Sequence, residues 1–85
     1  MSPAREERKL GKAAWILLRT IVIERDPSLL GLVDILGEKP ITDEQRETLR
    51  HLLMDEILEH GLRSDYEHNR YGIEIEDIID RLERF

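Results

Sequence analysis

The chain has 85 residues, 40% of them hydrophobic and 38% charged, with a formal net charge of −6 and no cysteine. That length holds one domain, residues 1–85, around a single core. The missing cysteine excludes disulfides and thiolate chemistry and fits a reducing compartment, and the acidic balance weighs against nucleic acid as the main partner.

A domain this small buries only about two-thirds of the surface its unfolded chain exposes. Self-association is the expected supplement to so thin a core. Charge is unevenly spread: residues 1–25 carry +3, residues 26–60 carry −6 and residues 61–85 carry −3. That polarity allows a basic first helix to dock on the acidic remainder, in its own chain or in a neighbouring copy, but the expectation is that each helix shows water its own solvated face. The longest apolar run, Ala13 to Leu18, is shorter than an export signal of about 7–15 residues or a membrane span of about 20. An unexported, cytoplasmic chain without a membrane anchor is expected.

The first helix is predicted to start at Ser2, with Pro3 at its first turn, and to run to about Arg25, because Asp26 precedes Pro27. Leu10, Ala14, Leu17, Leu18 and Ile21 share one face, and Trp15, Ile16, Val22 and Ile23 spread the apolar surface further round the cylinder. Asp26-Pro27-Ser28 opens a short second helix with Leu29, Leu32, Val33 and Leu36 inward and Gly37 at its end. Thr42-Asp43-Glu44-Gln45 is a capping box. The helix it opens carries Leu49, Leu52, Leu53 and Ile57, and Gly61-Leu62 reads as a Schellman close. Residues 63–69 are turn-like. A last helix from Tyr71 to Phe85 places Ile75, Ile78, Ile79, Leu82 and Phe85 on one stripe. The fold class is all-α: a compact bundle of about four helices, one of them short.

Candidate chemistry is sparse. Glu47, His51 and Asp55 follow one another at four-residue spacing, as do Glu56 and His60, but no Glu-x-x-His or His-Glu-x-x-His motif is present. Aligning Gly72 to an EF-hand turn puts Ile78 where the bidentate carboxylate belongs. No nucleophile elbow or phosphate loop occurs. Carboxylate pairs such as Glu74/Asp77 and Glu76/Asp80 need burial to become acid–base groups. No catalytic residue, metal ligand or cofactor is assigned.

Two surfaces remain as candidates. Trp15, Ile16, Val22 and Ile23 exceed what one bundle face needs, and Tyr66, His68 and Tyr71 flank a polar loop where tyrosines can anchor a partner. Arg5, Arg8, Lys9, Lys12 and Arg19 are the phosphate-binding set of the alternative reading, a nucleic-acid-associated regulator. A metal protein or small enzyme using the acidic C-terminal half is a third. The favoured reading is a non-catalytic protein–protein interaction module that pairs with itself as a homodimer or larger homo-oligomer.

The stretch from Ile57 through Gly61-Leu62, Asp65, Asn69, Tyr71-Gly72 and Glu74 to Leu82 resembles the C-terminal half of short bacterial proteins. These share a glycine turn, an asparagine-containing loop and an acidic helix. No activity is attached to that group, so the resemblance implies a bacterial source and nothing about function.

Overall fold

The computed structural model describes residues 10–36 and 38–84. Four α-helices follow in order: α1 Lys12–Arg25, α2 Leu30–Asp34, α3 Asp43–His60 and α4 Arg70–Leu82, with a 3-10 turn at Pro27–Leu29 leading directly into α2. Among the described residues there is no strand, only two isolated bridges, Leu36 with Lys39 and Leu62 with His68. The architecture is the expected all-α bundle.

The first helix is not continuous. Leu10 is helical, but Gly11 has φ 88°, a backbone that side-chain-bearing residues rarely adopt, and α1 starts after it. The expected start at Ser2 lies outside the described residues, as do Gly37 and Phe85. Asp26 caps the 3-10 turn by accepting from the Ser28 N–H, with Pro27 at the first position. At α3 the capping box is complete. The Thr42 hydroxyl accepts from the Gln45 N–H at 3.0 Å, and Gln45 Oε1 accepts from the Thr42 N–H at 2.9 Å.

The core joins Leu18, Ile21 and Val22 of α1, Val33 and Leu36 around α2, Leu49, Leu53 and Ile57 of α3, and Ile75, Ile78, Ile79 and Leu82 of α4. Two arginines tie its elements together through backbone carbonyls: Arg81 Nη1 donates to Leu10 O at 2.6 Å, and Arg46 Nε donates to Leu82 O at 3.0 Å.

Helices α3 and α4 form a hairpin whose joint departs from the expected Schellman close. Gly61 has φ −104°, outside the left-handed region, so conformational freedom does not explain the glycine. Steric approach does. A Cβ on Gly61 would lie 2.9 Å from the Gly72 Cα, and one on Gly72 would lie 2.2 Å from the Gly61 carbonyl oxygen. Asn69 binds the same point three ways. Its N–H donates to Gly61 O at 2.9 Å, its Nδ2 donates to His60 O at 3.0 Å, and its Oδ1 accepts from the Gly72 N–H at 2.8 Å. Asn69 therefore caps the start of α4 with its side-chain oxygen and satisfies two carbonyls at the end of α3, one with its side-chain amide and one with its backbone N–H.

Candidate functional site

On α3, Leu49, Leu53 and Glu56 follow the four-then-three spacing of an inward stripe, so a carboxylate falls where the helix meets the core. Glu56 is 5% exposed, the buried charged residue among the described ones. Both its oxygens are engaged. Arg25, in the last turn of α1, donates from Nε to Oε1 at 2.5 Å, and the Tyr71 hydroxyl donates to Oε2 at 2.6 Å. Arg25 also reaches Glu59 Oε1 at 2.6 Å and the Asp55 carbonyl at 3.4 Å.

Burial pushes the Glu56 carboxyl up, but the hydrogen bonds from Tyr71 and Arg25 together outweigh it and hold the acid below its ordinary value. Tyr71 is driven well above the usual phenol value, first by burial and then by its bond to Glu56. Arg25 is raised by the Glu56 hydrogen bond, against some desolvation. An ionised carboxylate saturated by two donors has no proton to give. The cluster is a lock joining α1, α3 and α4.

The carboxylate pairs singled out in the sequence, Glu74/Asp77 and Glu76/Asp80, lie on the exposed side of α4. Among the described residues no three of His, Asp and Glu gather where an ion could sit. His51 contacts Glu47 at 3.3 Å and His68 contacts Glu76 at 3.7 Å, both as pairs near the surface.

The seven candidate partner-binding residues separate by helical phase. Val22 is fully buried, and Trp15 is half-buried against the core; Val22 is corrected to a core residue, since it faces α1's neighbours rather than solvent. Tyr71 is half-buried with its hydroxyl committed to Glu56. Ile16 and Ile23, by contrast, are 54% and 50% exposed. Seven residues apart, they share the outer face of α1. The polar groups between them already have partners, since Arg19 pairs with Asp34 and the Thr20 hydroxyl donates to Ile16 O at 2.9 Å. Tyr66 is 84% exposed at the loop between α3 and α4, and His68 is half-buried beside it.

Of the phosphate-binding set, Arg5, Arg8 and Lys9 lie outside the described residues. Lys12 is exposed, and Arg19 leans on Asp34. Sequence reasoning missed Arg25 and Glu56 as a pair. The available signal was a glutamate three residues beyond Leu53 on the apolar stripe. Among the described residues no helix is long and apolar enough to cross a membrane. No family model, curated protein or solved structure matches the chain.

Proposed function

We propose that this chain is a small cytoplasmic protein-interaction domain that pairs with a second copy of itself through the outer face of α1. The observation that carries the reading is the exposed Ile16–Ile23 stripe, whose intervening polar groups are satisfied within the chain. Covering such a stripe removes apolar area from water without orphaning Arg19 or Thr20, and desolvated orphans are what usually oppose burial. The only buried acid is locked by Arg25 and Tyr71 among the described residues, which favours binding over catalysis.

Light scattering on a sizing column tests the proposal. The wild-type chain is expected to run as a dimer or larger species, and Ile16→Gln/Ile23→Gln to run as a monomer with an unchanged circular-dichroism spectrum. Full burial of an isoleucine is worth about 1.5–3 kcal/mol, and these start half-covered, so the pair should raise the dissociation constant at least about tenfold. A wild-type monomer across the accessible concentration range would overturn the reading.

A further inference from the structure

The outer face of α1 extends beyond its two isoleucines. Ala13, Ile16, Thr20 and Ile23 are all exposed, opposite the side that packs Leu18, Ile21 and Val22 into the core. Their spacings of three, four and three follow the a/d repeat by which one helix meets another along a seam. Side-chain size alternates along it: alanine, isoleucine, threonine, isoleucine. The Thr20 hydroxyl already donates to Ile16 O at 2.9 Å, so covering the seam orphans no polar side chain.

That alternation of size separates the two ways in which identical seams can meet. In a parallel pair each residue faces its own copy. Ala13 would then face Ala13 and leave a gap, while the β-branched Ile16 and Ile23 would crowd their own mates. Facing positions pack best when large meets small. In an antiparallel pair a positions meet d positions: Ala13 of one copy faces Ile23 of the other, and Ile16 faces Thr20. Every layer then holds one small and one large side chain.

The rim carries both signs. Lys12 stands at the start of α1, Glu24 and Asp26 at its end, and Arg19 in the middle is paired with Asp34. Antiparallel packing brings Lys12 of one copy level with Glu24 of the other and within a turn of its Asp26. The two Arg19 side chains approach near the two-fold axis, each neutralised by its own Asp34. Parallel packing would offer Arg19 the Glu24 of the second copy, but Arg19 is already engaged. Exposed rim pairs contribute about 0–1 kcal/mol, whereas a badly filled layer costs about 1–3 kcal/mol. Size therefore outweighs charge in setting the orientation.

We infer that two copies pair through α1 in an antiparallel, two-fold seam whose layers join Ala13 to Ile23 and Ile16 to Thr20. This register rests on the self-pairing proposed above. The chain has no cysteine, so cross-linking reads the register directly. Ala13→Cys and Ile23→Cys are oxidised separately and as a mixture, after light scattering shows that each reduced chain pairs. The mixture should give the disulfide-linked pair of unlike chains. Each variant alone should give little, since its two cysteines lie about 15 Å apart along the seam, beyond the reach of a disulfide. A volume swap decides the matter if a cysteine variant does not pair. Ala13→Ile sets two isoleucines in one layer and should raise the dissociation constant at least about tenfold. Ala13→Ile/Ile23→Ala should bring it back near that of the wild type. Efficient cross-linking of either variant with itself, no cross-link among chains that do pair, or tighter pairing by Ala13→Ile overturns the register while leaving self-pairing intact. A monomeric wild type overturns both.

Discussion

Glu56 lies where a leucine would ordinarily complete the α3 stripe, and its neighbours determine what that placement costs. Arg25 and Tyr71 each donate to one of its oxygens. Glu56→Gln would leave Arg25 facing an uncharged amide, and a loss of about 2–3 kcal/mol is expected from urea unfolding near neutral pH. Tyr71→Phe removes one donor to a charged acceptor and should cost about 1.5–3 kcal/mol.

The signs of the pH dependence follow from the directions of the shifts. The folded pKa of Glu56 is depressed, so its contribution is present above the unfolded value near 4.5 and fades as pH falls through the folded value. The folded pKa of Tyr71 is raised, so its contribution is present below the unfolded value near 10.0 and is lost as pH rises above it. Unfolding midpoints taken across both limbs should therefore show the wild type and Glu56→Gln converging in acid. Wild type and Tyr71→Phe should converge in alkali. Gaps that stay constant at every pH would mean that shape, not ionisation, holds the three helices together.

At the scale of elements, Gly72 and Gly31 make opposite demands. Gly72→Ala drives a methyl group into the Gly61 carbonyl, with no flexible side chain to yield. A cost of at least about 3 kcal/mol is expected, which for a domain of this size lowers the thermal midpoint by more than about 12 °C. Gly31, within α2, has nothing within 4 Å of where a Cβ would sit. Gly31→Ala should instead raise stability by about 0.5–1 kcal/mol, because alanine loses less freedom on entering a helix. Asn69→Ala removes the α4 cap and a donor to the α3 carbonyls together, and about 2 kcal/mol should be lost. Calorimetry on the three variants separates these outcomes.

Local signals were legible wherever one residue acts on its own neighbours. The Asp26-Pro27 start, the Thr42–Gln45 capping box and the Ile75–Leu82 stripe all appear as read. Gly61 was misassigned because a glycine near a helix end looks the same whether it serves a left-handed turn or the approach of a residue eleven positions away. The Arg25–Glu56 pair is 31 residues apart in sequence, and periodicity carries no information about which arginine meets which acid.

For the whole molecule, the number and type of helices came from the apolar pattern, whereas the split of α1 into covered and open faces needed tertiary placement. Val22 and Ile23 are adjacent and chemically alike, yet one is fully buried and the other half exposed. A self-pairing domain gains stability by mass action. The thermal midpoint should therefore rise with protein concentration in the wild type, and not in Ile16→Gln/Ile23→Gln. A midpoint independent of concentration in both would set aside the role of the α1 stripe.

The Gly61–Asn69–Gly72 joint also has a kinetic consequence. Its partners across the turn are separated by eight to eleven residues, so closing it requires a loop of the length that forms in about 10–100 ns, whereas Arg25 must find Glu56 across 31 positions. The α3–α4 hairpin should be assembled in the folding transition state, with α1 docking afterwards. In stopped-flow experiments, Asn69→Ala should chiefly slow refolding, and truncating the buried Leu18 should chiefly speed unfolding. The reverse pattern would place the nucleus at α1.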